Sequence, residues 1–121
     1  MARVLIVDDS PTDVQNLKNM LQKAGHTVFE CTSGQEALER VKADKPEAVI
    51  MDVVMPGVNG FQATRSLSKD PLTAHIPVIV VSSKNQETDR VWALRQGARE
   101  YLVKPVKEAD LLAKIRTVLG G

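Results

Sequence analysis

Short apolar runs alternate with helix-period segments along the whole length of the sequence. The runs are rich in Val, Ile and Leu, as in Val4–Val7 and Ala48–Met51. Continuous runs of this kind are typical of strands in a parallel sheet, because helices bury both faces of such a sheet. The segments between them carry apolar residues at the spacing of an amphipathic helix. The alternation predicts an α/β fold, in which five strand–helix pairs, (βα)5, form a doubly wound parallel sheet.

Local signals give approximate bounds for these elements. The predicted strands are Val4–Val7, Thr27–Cys31, Ala48–Met51, Pro77–Val81 and Tyr101–Val103. The predicted helices run from Pro11 to Ala24, from Gly34 to Lys45, from Phe61 to Ser68 and from Gln86 to Gln96, with a last helix carrying the stripe Leu111, Leu112, Ile115, Val118 and Leu119. Ser10 is a predicted N-cap with Asp13 in the first turn, and Ser33 has capping-box spacing to Glu36. Pro56, Gly57 and Gly60 indicate a loop after the third strand.

Composition narrows the class of protein. The sequence has 121 residues, the size of one domain, and we expect residues 1–121 to form a single domain with no output domain. The net charge of +1 argues against a nucleic-acid or membrane-surface partner, since these usually select a basic excess. Cys31 is the only cysteine, so no intrachain disulfide can form. With no recognisable signal peptide, we expect a cytoplasmic protein.

Polar side chains follow the carboxyl ends of four predicted strands. They are Asp8 and Asp9 after the first strand, Asp52 after the third, Ser82 and Ser83 after the fourth, and Lys104 after the fifth. In open parallel sheets the ligand crevice lies at these strand ends, so we expect the side chains to converge. Clustered carboxylates repel one another unless a hard cation lies between them, and Mg²⁺ prefers oxygen ligands. A carboxylate beside a metal, a hydroxyl and a lysine is suited to accept a phosphoryl group.

Four motifs together resemble the receiver domain of two-component response regulators. They are LIVDDS at Leu5–Ser10, MDVVMPGVNG at Met51–Gly60, PVIVVSS at Pro77–Ser83 and YLVKP at Tyr101–Pro105. The resemblance covers the whole chain and implies a CheY-like, flavodoxin-like sheet with strand order 2-1-3-4-5. Within the family, MPGVNGFQATR at Met55–Arg65 and VWALRQGAREYL at Val91–Leu102 resemble small regulators of twitching motility.

The resemblance implies a role for each polar residue at the strand ends. Asp52 would be the phosphoacceptor and Mg²⁺ the cofactor. The metal ligands would be Asp9 directly, Asp8 mainly through water, Asp52, and the backbone carbonyl of Val54. Lys104 would neutralise one phosphoryl oxygen, and Ser82 would hydrogen-bond another with Ser83 beside it. The family's cis peptide would lie between Lys104 and Pro105.

The resemblance also implies a conformational switch. Ser82 would move toward the phosphoryl group and Tyr101 would turn inward with it. Ser82 stands where the family often has threonine, and the missing methyl leaves its rotamer less restricted. Val54 and Lys84 occupy the variable positions that tune phosphate lifetime. The output surface would be the α4-β5-α5 face, with Trp92, Arg95, Tyr101, Lys107 and Asp110 as candidate exposed positions.

The implied donor is a CheA-like histidine kinase or its phosphotransfer domain, in a chemosensory pathway controlling type IV pilus motility. The output protein is not identified, and both a monomer and a phosphorylation-dependent dimer fit. No turnover of an external substrate is expected. A phosphate sink for a shared kinase and a degenerate receiver acting as a binding module are alternatives. Two other classes of protein fit the sequence less well. An aspartyl-phosphate phosphatase usually carries a second Asp at the position of Val54. A flavodoxin-like binding module would need a phosphate-cradling loop at the position of Asp8 and Asp9.

Overall fold

A computed structural model of the protein describes residues 2–55 and 57–120. Five parallel strands form one sheet in the order β2-β1-β3-β4-β5. The strands are β1 (Arg3–Val7), β2 (Thr27–Cys31), β3 (Ala48–Asp52), β4 (Val78–Ser82) and β5 (Glu100–Val103). The helices are α1 (Pro11–Lys23), α2 (Gly34–Asp44), α3 (Gly60–Lys69), α4 (Glu87–Arg95) and α5 (Glu108–Val118). The predicted elements and strand order are confirmed, with bounds that shift by about one residue; Pro56, predicted to lie in the loop after β3, is outside the described residues.

The sheet separates two hydrophobic cores. Along β3, Val49 and Met51 belong to one core, while Ala48 and Ile50 belong to the other, because successive side chains of a strand point to opposite faces. The first core contains buried residues of α2, α3 and α4, and we call this side the α2/α3/α4 face. The second contains buried residues of α1 and α5, and we call this side the α1/α5 face. None of the helices within the described ranges is both long and apolar enough to cross a membrane.

Two helix starts differ from the sequence prediction. The Ser33 hydroxyl accepts the N–H of Glu36 as predicted, at 3.1 Å, but the Glu36 carboxylate accepts the N–H of Thr32. Of the two hydrogen bonds of a capping box, α2 therefore has only the one accepted by the Ser33 hydroxyl. A complete capping box occurs instead at α3, where Asn59 and Gln62 each accept the other's backbone N–H, at 2.9 and 3.0 Å. This box begins α3 directly at the loop that follows β3.

Cys31 is expected to be nearly inert in the folded protein. Its side chain is buried at the end of β2, and this burial, followed by the charge of Glu36, raises the pKa of the thiol from 9.0 to about 11. Two pKa units lower the thiolate fraction at pH 8 roughly a hundredfold, and thiolate is the reactive form. We expect modification by a disulfide reagent at pH 8 to be at least about a hundredfold slower in native protein than in guanidinium. Comparable rates would show that β2 opens readily.

Candidate functional site

Backbone hydrogen bonds hold the polar residues in place at the carboxyl ends of the strands. The N–H of Asp8 donates to Cys31 beyond the end of β1, at 3.1 Å, and the N–H of Lys104 donates to Ser82 beyond the end of β5, at 2.8 Å. These bonds continue the sheet ladder by one residue on each strand. The alternation of side chains along β1, β3 and β5 therefore puts Asp8, Asp52 and Lys104 on the α1/α5 face. The same alternation puts Ser82 on the opposite face.

The ammonium of Lys104 contacts three carboxylates. Its Nζ lies 2.8 Å from Oδ2 of Asp13, 3.1 Å from Oδ2 of Asp8 and 3.2 Å from Oδ1 of Asp52. Burial lowers the pKa of Lys104, but the hydrogen bonds to Asp13 and Asp8 and the charges of Asp52 and Asp8 outweigh burial and raise that pKa above its usual value. Lys104 therefore carries a fixed positive charge in the middle of the site.

Three carboxylates form a compact acidic cluster. Asp8, Asp9 and Asp52 each offer an oxygen within 4.8 Å of the others; Asp8 and Asp52 are buried and Asp9 is exposed. Burial and the charge of Asp8 raise the pKa of Asp52, against the opposing effect of Lys104. The cluster thus concentrates negative charge at a partly buried place. Hard oxygen donors in this number fit a magnesium ion, which prefers carboxylate and water oxygens and would relieve the repulsion.

The predicted hydroxyl positions differ in their burial. Ser82 is buried, and its hydroxyl accepts the N–H of Lys84 at 3.1 Å, while Ser83 and Lys84 are exposed. Val54, two residues past Asp52, is 64% exposed. Solvent therefore reaches the site beside Val54, whereas the position of Ser82 is buried.

Tyr101 is half-buried, so the prediction that it is exposed is wrong. Its ring packs against the core of the α2/α3/α4 face, and its hydroxyl donates to the carbonyl of Lys84 at 2.8 Å. The alternation of β5 turns Tyr101 toward this core, and the hydrogen bond satisfies the phenol there. Tyr101 is thus joined to the β4–α4 loop, which begins directly after Ser82.

The other candidates for the output surface are exposed, namely Trp92, Arg95, Lys107 and Asp110. Trp92 lies on α4 and meets Phe61 of α3 edge to face, with ring centroids 6.5 Å apart. The peptide bond between Lys104 and Pro105 is cis, as the resemblance implied.

Two residues that contribute to the site were not predicted from the sequence. Asp13 was expected only to favour the start of α1, yet it pairs with Lys104 across 91 residues of sequence, and no local signal indicates such a pair. Gly60 was placed in a loop, yet it is the first residue of α3 and lies against β3. Its N–H donates to Val53 at 3.0 Å, and a Cβ at this position would lie 2.0 Å from the carbonyl oxygen of Asp52. The Asn–x–x–Gln spacing of Asn59 and Gln62, which includes Gly60, is the local signal that predicts this helix start.

Comparison with known proteins agrees with this geometry. Residues 4–116 match the family described as the response regulator receiver domain. The chain is 56% identical over 121 residues to Protein PilH of Pseudomonas aeruginosa, covering 100% of both sequences. The structure is similar to chemotaxis protein CheY4 of Vibrio cholerae, with a TM-score of 0.90, 30% identity, and coverage of 98% of this chain and 99% of the other. It is also similar to the receiver domain of the sensor histidine kinase PA1611 of Pseudomonas aeruginosa, with a TM-score of 0.91, 27% identity, and coverage of 99% and 98%; that structure has a magnesium ion coordinated in its active-site cleft.

Proposed function

The chain belongs to the response regulator receiver domain family, and on that premise we propose that it is a signalling switch in which Asp52 accepts a phosphoryl group from a histidine kinase. One observation carries the proposal: the buried Asp52 carboxylate lies 3.2 Å from the Lys104 ammonium, within the acidic cluster of Asp8 and Asp9. A carboxylate nucleophile beside a fixed positive charge has the parts that phosphoryl transfer needs, namely positioning and charge neutralisation.

The chemistry is a displacement at phosphorus. A carboxylate oxygen of Asp52 forms a bond to phosphorus as the phosphorus–nitrogen bond of the donor's phosphohistidine breaks. The departing imidazole keeps the bonding electron pair and takes a proton from solvent. Lys104, which forms an ion pair with Asp52 at 3.2 Å, hydrogen-bonds a phosphoryl oxygen and so neutralises part of its charge. Asp8, Asp9 and Asp52, with the backbone carbonyl of Val54, would hold Mg²⁺, which when bound supplies further neutralisation of the phosphoryl oxygens.

The signal is a shift between two populations of the β4–α4 region. In the phosphorylated form the Ser82 hydroxyl bonds a phosphoryl oxygen, with Ser83 beside it, and exchanges its present contact with the Lys84 N–H. The bond from Tyr101 to the Lys84 carbonyl transmits that movement toward α4. The phosphoryl group shifts the equilibrium because it bonds Ser82 in only one of the two forms. Val54 and Lys84 border the site and tune how long the phosphoryl group survives.

The setting follows from the likeness to PilH. We infer a pilus-related role in twitching motility, with a CheA-like kinase or its phosphotransfer domain as the cytoplasmic donor and no turnover of external substrates. A phosphate sink would use the same residues without an output partner. The exposed Trp92, which is 51% accessible beside the exposed Arg95, favours an output role, since both residue types are enriched in interfaces. A degenerate receiver is the alternative if Asp52 takes no phosphoryl group.

Trp92 provides the test, because it is the only tryptophan and packs on Phe61 in the first turn of α3. Beryllofluoride mimics a phosphoryl group on a carboxylate. We expect a saturable change in Trp92 fluorescence when beryllofluoride is added with Mg²⁺, because α3 begins against the end of β3. The change should disappear without Mg²⁺ and in Asp52→Ala.

Trp92→Phe removes the signal and serves as the instrumental control. Mass spectrometry of protein treated with acetyl phosphate and Mg²⁺ provides a second measurement, which does not depend on the tryptophan. If neither acetyl phosphate nor a phosphorylated kinase domain gives a Mg²⁺-dependent adduct on Asp52, the proposed function is wrong and the degenerate receiver remains.

A further inference from the structure

Asp13 makes a contact that none of the roles above requires. It lies in the first turn of α1, and its Oδ2 is 2.8 Å from Nζ of Lys104, the shortest of the three contacts of that ammonium. Asp13 is not one of the three acids of the cluster. The contact therefore links the start of α1 to the loop after β5, through a lysine that also contacts the acceptor carboxylate.

The local geometry of α1 leaves the carboxylate of Asp13 available. Ser10 is the N-cap, and its hydroxyl accepts the N–H of Asp13 at 3.3 Å. An acidic residue at this third helical position often bonds the N–H of the N-cap in return. Here Oδ1 of Asp8 already accepts the N–H of Ser10, at 2.9 Å. The carboxylate of Asp13 therefore does not accept the N–H of Ser10, and it pairs with Lys104 instead.

The ammonium of Lys104 has three carboxylate acceptors: it donates hydrogen bonds to Asp8 and Asp13, and it forms an ion pair with Asp52 at 3.2 Å. Two of these acceptors belong to the acidic cluster, where the lysine charge competes with a bound cation. The third lies outside the cluster and draws the charge toward α1. How strongly Asp13 attracts the ammonium therefore sets how much of its charge reaches Asp8 and Asp52.

We propose that Asp13 is a positioning residue that restrains the Lys104 ammonium and withholds part of its charge from the phosphoryl site. The proposal rests on the proposed function of Asp52. The proposal predicts that removing the charge of Asp13 changes cation affinity and anion affinity in opposite directions. Without the charge of Asp13, the Lys104 ammonium neutralises the acidic cluster more fully, so Mg²⁺ binds more weakly. An anionic phosphoryl group meets a less negative site and a freer ammonium, so it binds more tightly.

The variant Asp13→Asn tests this, because the amide has nearly the same shape but no charge. By isothermal titration calorimetry we expect the Mg²⁺ dissociation constant to rise about threefold, and that of beryllofluoride at saturating Mg²⁺ to fall about fivefold. Damage to the fold would weaken both. Asp13→Glu, which restores the charge, should move both constants back toward the wild-type values.

Glu39→Gln is the matched control. Glu39 is an exposed acid of α2, outside the site and the candidate output surface, and it forms no ion pair with any residue that the structure describes. The variant also removes one negative charge from the protein, and both constants should stay at their wild-type values. In a Lys104→Ala background, the effect of Asp13→Asn on Mg²⁺ affinity should shrink, since it acts through the lysine.

Two results would overturn the positioning role while leaving the proposed function intact: a fall in both affinities in Asp13→Asn, or no change in either. If wild-type protein itself shows no Mg²⁺-dependent binding of beryllofluoride, the proposed function has failed instead.

Discussion

Asp52→Ala is expected to abolish phosphoryl uptake while leaving the fold intact. The substitution removes the nucleophile that lies against Lys104. Burial and the charge of Asp8 raise the pKa of Asp52, so the folded protein already disfavours the ionised carboxylate, and its removal relieves that cost. The Lys104 ammonium keeps Asp8 and Asp13 as partners. We expect the free energy of unfolding to change by less than about 1 kcal/mol.

The measurement is transfer of labelled phosphate from a phosphorylated kinase domain, beside urea unfolding of the same variant. Glu39→Ala is the control, since Glu39 is an exposed residue of α2, and it should take up label like wild type. Label on Asp52→Ala at the wild-type rate would assign the acceptor elsewhere, and peptide mapping would then distinguish Asp8 from Asp9. A variant that unfolds would contradict the expected small change in the free energy of unfolding.

Gly60→Ala is expected to destabilise the protein by about 3 kcal/mol or more. The new Cβ would lie 2.0 Å from the carbonyl oxygen of Asp52 and 2.8 Å from Cα of Val53. Both are backbone atoms, so no side-chain rotation relieves the overlap, and α3 must move away from the end of β3. That movement also displaces Asp52, so we expect weaker Mg²⁺ binding. Urea unfolding and a Mg²⁺ titration measure the two effects.

Gly57→Ala is the comparison in the same loop. Gly57 has a φ of 74°, but apart from its two chain neighbours a Cβ there would meet no described residue within 4 Å. This substitution costs only the left-handed backbone strain, about 1 kcal/mol. If Gly60→Ala is no less stable than Gly57→Ala, the close approach of α3 to β3 does not hold in solution.

The local features of the fold were predictable, because apolar alternation and helix caps are encoded in neighbouring residues. The bounds of β2 agree with the prediction, and Ser10 caps α1 as expected. The strand order has no local signal; it came from the family resemblance, and the ladders between β1, β2 and β3 confirm it. The capping box beginning at Asn59 was a local signal in the sequence that the prediction did not use.

The convergence of the site was predictable in part. Residues that directly follow strands, such as Asp8, Asp52 and Lys104, must share one edge of a parallel sheet, and the structure brings them into contact. The pairing of Asp13 depends on how a helix is placed over the sheet. The half-burial of Tyr101 depends on the loop that accepts its hydroxyl. Neither is encoded by spacing along the chain.

The alternation of side chains at the strand ends has a consequence for how such a protein changes over evolution. Asp8, Asp52 and Lys104 lie on the α1/α5 face, whereas Ser82 and Tyr101 lie on the other. If the proposed function holds, α1 lies beside the reacting groups and α4 lies on the other face of the sheet, while α5 is shared, because it packs on the α1/α5 face and also carries an output candidate, Asp110. Substitutions in α1 should alter how fast a signal decays and leave its recipient unchanged. Substitutions in α4 should redirect the signal to a new recipient without slowing the reaction that produces it.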